Sequence, residues 1–209
     1  MSKLLTSVLL SLAAGSLALE AAGPASATVL LSEPGVSAFR PTPGSYTFFF
    51  DAPVEGEGTI DFGLVGRGTI DGQGATCGAN ECDDTFTLIL NGNDLFQGLF
   101  HMGGLGVDLV LFSPGGATVS ATSGALGEGG TATLSLPAVF RNGMNSLTFV
   151  YTGLDQGMDD EAWAIADLTV RDNVAGVPEP SSWALMIAGF GLAGAALRRR
   201  SARPVGRPA

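Results

Sequence analysis

The chain is 209 residues long, 45% apolar and 14% charged, with 20 acidic against 10 basic residues and a net charge of −10. That balance argues against nucleic acid and anionic surfaces as partners, because phosphate binding depends on Lys and Arg. One histidine, His101, and two cysteines are too few soft ligands for a thiolate-imidazole metal centre.

At the N-terminus, Lys3, the apolar stretch Leu4 to Leu19 and Ala25-Ser26-Ala27 form the basic, apolar and small-x-small regions of a secretory signal peptide. Residues 1–27 are therefore expected to direct Sec export and to be removed by signal peptidase after Ala27. Ser11, Gly15 and Ser16 interrupt the apolar stretch, which sets it apart from a first transmembrane helix.

Residues 28–176 are 149 residues, enough for one domain with its own core. They carry 18 acids against Arg40, Arg67, Arg141 and Arg171, a net charge of −14. Such a charge suits solubility outside the cell and is compatible with divalent cations. The runs 45–52, 59–64, 84–90, 94–100, 107–113, 131–136, 146–152 and 162–171 are rich in Val, Ile, Leu, Phe and Thr. Gly, Pro, Asn and Asp separate them, as they separate strands. Phe86, Leu88 and Leu90 alternate with Thr85, Thr87 and Ile89, the pattern of a strand between core and surface. Asn91-Gly92 between two such runs predicts a two-residue hairpin. The Gly-rich stretch 114–130 reads as loop or a weak strand. No long 3.6-residue apolar period is present, so the prediction is all-β: a single β-sandwich, jelly-roll-like, over 28–172, with a linker at 173–177.

Cys77 and Cys82 lie in a Gly-rich loop, and in an oxidising compartment such a pair reads as a disulfide. Acids gather at Asp71, Glu81, Asp83 and Asp84, and again from Asp155 to Glu161. Two acidic loops at one end of a sandwich would supply oxygen ligands to calcium, with Asp71, Asp83, Asp84, Asp159, Asp160, Glu161 and Asp167 as the candidate donors. A solvated run of surface charge is the plainer reading and ranks first. Neither cluster fits the EF-hand loop or the glycine-rich Asp repeat. Trp163 reads as core rather than as a sugar platform. His101 stands without a Gly-x-Ser-x-Gly elbow and is no hydrolase signature. A pair of carboxylates is also what a glycosidase needs, but on so acidic a chain that is thin support.

The C-terminal end is the most specific stretch. Pro178-Glu179-Pro180 is followed by Trp183-Ala184, an apolar Gly/Ala-rich run to Leu197, and Arg198-Arg199-Arg200. As a helix, residues 183–197 span about 22 Å, short of the roughly 30 Å hydrocarbon core. Trp183 and the arginines suit the two interfaces, and an arginine cluster stays cytoplasmic. The expectation is a marginal transmembrane helix with residues 202–209 as a cytoplasmic tail. A buried helix of a globular domain is the alternative, and it lacks a polar face. These residues closely resemble the PEP-CTERM sorting signal in its Trp-Ala variety, spanning 178–201. The resemblance implies recognition of Pro178, Glu179 and Pro180 by an exosortase, a multi-spanning membrane transpeptidase of Gram-negative bacteria that make exopolysaccharide. Trp183 and Arg198 to Arg200 would then be parts of the signal, not catalysts.

A sparser resemblance covers the middle. Asp71-Gly72, Asp84-Thr85-Phe86-Thr87-Leu88 into Asn91-Gly92, Asn145 to Phe149, and Glu161-Ala162-Trp163-Ala164-Ile165-Ala166-Asp167-Leu168-Thr169-Val170 look like jelly-roll domains of exported PEP-CTERM proteins, distantly like carbohydrate-binding modules. Together the readings imply a non-enzymatic exported protein. It would be held briefly in the inner membrane with its C-terminus in the cytoplasm, then sorted to the cell surface or extracellular matrix. A calcium-assisted exopolysaccharide-binding module is the next reading, and a polysaccharide hydrolase the last.

Overall fold

The computed structural model describes residues 27–77, 80–173 and 180–201. The chain divides into two units, Ala25–Val177 and a second made of its two ends. The first holds β1 (Val29–Val36), β2 (Arg40–Pro41), β3 (Gly44–Ala52), β4 (Gly56–Gly68), β5 (Thr76–Cys77), β6 (Asn80–Glu81) and β7 (Thr85–Leu90). It continues through β8 (Asn93–Leu99), β9 (Leu109–Phe112), β10 (Thr118–Ser123), β11 (Gly130–Phe140), β12 (Gly143–Thr152) and β13 (Glu161–Asp172).

Alternation of side chains builds the layers. Along β4, Ile60, Phe62 and Leu64 are buried while Thr59, Asp61 and Gly63 between them are half-buried; β7 and β12 behave alike. Two antiparallel sheets result, in the orders β1-β13-β4-β11-β10, with β2 also on β13, and β3-β12-β7-β8-β9. The chain passes repeatedly from one sheet to the other, as in a jelly roll. A separate ribbon pairs β5 with β6. Between the sheets, Phe86, Phe96, Phe100, Phe140, Phe149, Tyr151 and Trp163 are fully buried. Trp163 meets Tyr46 edge-on at 4.9 Å and Tyr151 at 5.2 Å between ring centroids. Each large apolar side chain so buried contributes about 1.5–3 kcal/mol.

The eight expected runs fall on β3, β4, β7, β8, β9, β11, β12 and β13. Asn91 (φ 54°) and Gly92 (φ 83°) both take positive φ, the signature of a type I′ hairpin turn. The stretch 114–130 contains a full strand, β10, paired over six residues with β11. β1 is not among the expected runs: Glu33, Pro34 and Gly35 are poor strand formers, and most of its residues are exposed. It forms because the outer edge of β13 offers a ladder, and irregularities at Glu33/Val36 and Ala166/Thr169 absorb the mismatch.

In the second unit, α1 (Pro180–Ser201) is 22 residues long. The expected transmembrane helix over 183–197 needs correction here: among the described residues no helix is long and apolar enough to cross a membrane. The physical reason is that proline, serines and arginines occupy both ends of α1 and leave an apolar stretch of insufficient length between them. Leu185, Ile187, Phe190, Leu192 and Leu197 are all exposed. The expected signal peptide through residue 26, linker residues 174–177, Pro178, Glu179 and the tail 202–209 lie outside the described residues.

Candidate functional site

The inward parity of two strands carries acids into one end of the sandwich. On β13, Trp163 and Ile165 point to the core, and Glu161 at its start is in step with them. Ahead of β7, Asp84 is in step with Phe86, Leu88 and Leu90. Asp71, on the segment after β4, completes the group. One carboxylate oxygen from each of Asp71, Asp84 and Glu161 lies within 4.8 Å of the others. Asp71 is 2% exposed, and Asp84 and Glu161 are 0% exposed.

Hydrogen bonds fix the cluster without satisfying it. The Asp71 N–H donates to Asp84 Oδ2 at 2.7 Å, and the Asp84 N–H returns to the Asp71 carbonyl at 3.1 Å. The Leu105 N–H donates to Asp71 Oδ1, and Gln156 Nε2 donates to Glu161 Oε1. Asp84 Oδ1 and Glu161 Oε2 have no partner, nor do the buried hydroxyls of Thr42 and Tyr151. An unpaired buried polar group costs about 1–3 kcal/mol, and these four are the buried unpaired side-chain atoms found among the described residues. Two glycines make room for the carboxylates. A Cβ at Gly153 would stand 1.8 Å from Asp84 Oδ1 and 3.1 Å from the Thr42 methyl, and one at Gly104 would stand 2.3 Å from Asp71 Oδ1.

Burial pushes Glu161 up to about 8, aided by the charges of Asp84, Asp71 and Asp160 and opposed by the Gln156 hydrogen bond. Burial likewise pushes Asp84 up to about 7, with Asp71 and Asp83 adding repulsion and the Asp71 N–H opposing. Asp71 is raised by burial against the Leu105 hydrogen bond. Tyr151 lies well above its ordinary range through burial, then the charges of Asp84 and Asp108. Three carboxylates that repel one another, all oxygen donors without a thiol or imidazole among them, fit a hard divalent cation such as calcium.

Of the seven expected donors, the structure brings together Asp71, Asp84 and Glu161 and places four elsewhere. Asp83 accepts the Ala75 N–H at 3.0 Å, and Asp160 accepts the Thr69 hydroxyl at 2.8 Å. Asp159 is exposed. Asp167 (φ 47°) sits at the β13 irregularity, accepting the Gly35 N–H at 2.8 Å. Gln156, Thr42, Tyr151, Gly104 and Gly153 were not anticipated. Nearby, the β5–β6 ribbon pairs Thr76 with Glu81 and Cys77 with Asn80. Buried Cys82 follows directly and donates its N–H to the Ala75 carbonyl at 3.2 Å. His101 donates its N–H to Asp108 at 2.7 Å, and its Nε2 faces the Gly104 carbonyl at 2.8 Å.

These features define an all-β sandwich with a buried carboxylate site, and the chain also carries the helix α1. Residues 176–200 match the model of the PEP-CTERM protein-sorting motif, so the chain carries that signal at its C-terminus. Within it, Pro180 opens α1, where a missing N–H costs nothing, and Trp183 and Arg198 to Arg200 lie along the helix. No curated protein matches the sequence. Similar solved structures include a family 35 carbohydrate binding module from an environmental isolate, 11% identical over 69% of this chain and 87% of the other, with a TM-score of 0.33. Others are CBM35 from Cellvibrio japonicus Abf62 (13%, 69% and 92%, TM-score 0.34) and a family 35 module from Clostridium thermocellum (13%, 70% and 98%, TM-score 0.32). The sandwich assignment itself stands on strand order and register.

Proposed function

We propose that this is an exported, non-enzymatic protein of the surface or extracellular matrix of a Gram-negative bacterium, sorted through its C-terminus by an exosortase-like transpeptidase. The observation that carries this reading is the PEP-CTERM motif at 176–200. Export by Sec, removal of residues 1–27 by signal peptidase, and passing attachment at the inner membrane precede sorting. The exposed Leu185, Ile187, Phe190, Leu192 and Leu197 of α1 support attachment, because apolar surface gains by leaving water. The test replaces Pro178, Glu179 and Pro180 with alanine in the native host. The variant is expected to stay with the membrane fraction while the wild type reaches the surface. Equal surface amounts would refute sorting by this motif.

The sandwich is a cation-stapled domain, with calcium held by Asp71, Asp84 and Glu161 and a Cys77–Cys82 disulfide closing the ribbon beside Asp84. The unpaired Asp84 Oδ1 and Glu161 Oε2 support the ion. Because all three donors are buried, the ion acts on the fold rather than on a bound sugar, and a glycan chain has no way between two of these acids to be hydrolysed. Exopolysaccharide binding is the second reading. Calorimetry of the calcium-loaded protein with the host polysaccharide is expected to show heat of binding, and none at millimolar sugar would remove it.

A further inference from the structure

Gln156 reaches the carboxylate cluster from residues 153–160, donating Nε2–H to Glu161 Oε1. The Gly157 carbonyl accepts the N–H of Asp160 at 3.2 Å and of Glu161 at 2.8 Å, so this turn fixes where residue 156 stands relative to Glu161. The far end of the segment is held on Thr69, which bonds the Asp160 carbonyl and carboxylate, both at 2.8 Å. Besides the acids, two fully buried residues have unpaired hydroxyls: Thr42, whose N–H donates to the Glu161 carbonyl at 3.3 Å and whose methyl lies beside Gly153, and Tyr151. The unpaired Asp84 Oδ1 and Glu161 Oε2 are the observation that points to a ligand here. Calcium takes six to eight oxygens. A carboxamide offers either: its NH2 donates to a carboxylate, and a half-turn puts its oxygen in nearly the same place.

We propose that Gln156 is a conditional fourth protein ligand, donating to Glu161 when the cation is absent and turning its Oε1 to the cation when it is bound. Residues 153–156 are thereby ordered by the ion. This rests on the cation reading of Asp71, Asp84 and Glu161. The test titrates calcium alone into the full chain and into Gln156→Ala and Gln156→Glu, with hydrogen exchange of residues 153–160 as a second readout. The alanine variant is expected to bind about tenfold or more weakly and to lose calcium-dependent protection of the segment, while the glutamate variant binds more tightly than the wild type. Unchanged affinity and protection in Gln156→Ala, with normal binding by the wild type, would overturn the role of Gln156 alone. Absence of calcium binding by the wild type would overturn the cation reading and this inference with it.

A second observation stands apart from that site. The Thr28 nitrogen donates to Asp172 Oδ1 at 2.9 Å, and the Asp172 N–H returns to the Thr28 carbonyl at 3.0 Å. Asp172 is 6% exposed. Hydrolysis of the Ala27–Thr28 peptide bond adds water across it, leaving a carboxylate on Ala27 and an ammonium on Thr28. We infer that signal-peptide removal completes the fold by turning this amide-to-carboxylate hydrogen bond into an ion pair that clamps the new N-terminus to the end of the last strand. This rests on cleavage after Ala27, which N-terminal sequencing of the exported protein checks separately. A mature chain beginning at Thr28 is expected to melt about 2–4 °C above one that retains Ala27, and Asp172→Asn is expected to abolish the difference. Equal melting of the two chains would overturn the clamp.

Discussion

Asp84 and Glu161 hold protons to about 7 and about 8 in the folded chain, where the unfolded chain releases them near 4. Between those limits the folded state binds more protons, so without a cation stability falls as pH rises from about 4 through 8. Calcium requires the ionised carboxylates and displaces the protons. The melting temperature in chelator is therefore expected to drop from pH 5 to pH 8, and the gain on adding calcium to grow over the same range. An equal gain at both pH values would place the ion on exposed acids instead. Asp84→Asn removes one repelling charge with little change of shape. It is expected to raise the melting temperature in chelator at pH 8 and to cancel the calcium response. Of this site the sequence displays the three carboxylates among its candidate donors, and Asp84 and Glu161 also continue the period-two pattern of buried Phe86 and Trp163. Gln156 and the two glycines come from irregular loops, whose approach no local spacing encodes.

Among the elements, the Asn91-Gly92 hairpin was legible because both residues accept positive φ, and its place is fixed by tertiary bonds. Asn91 Oδ1 accepts the Ser146 N–H at 2.9 Å and Asn91 Nδ2 donates to Asn145 at 2.9 Å. β1 was not legible and β10 only as a weak strand, since partner edges stabilise them more than their own composition does. The β5–β6 ribbon anchors the approach to Asp84 through the Ala75–Asp83 and Ala75–Cys82 bonds. Replacing Cys77 and Cys82 with serine is expected to cost about 2 kcal/mol, the entropy of a loop this short, and to weaken the calcium response as well. Unaltered unfolding in denaturant would show that the ribbon is not cross-linked. In the core, Phe86→Ala is expected to cost about 3–5 kcal/mol.

Over the whole molecule, the proposed export and sorting depend on the two ends, with the sandwich as cargo. The sorting signal was legible because its residues are contiguous. The buried site was only half legible because three distant segments build it. Taken together, the proposed export, attachment and sorting predict a mature protein that begins at Thr28 and has lost the arginines beyond Leu197. The intact mass of the protein recovered from the surface of the native host tests this most directly. The account predicts a mass for a chain starting at Thr28 and cut near Pro178-Glu179-Pro180, plus any group transferred there. A mass corresponding to residues 28–209 in full would contradict it.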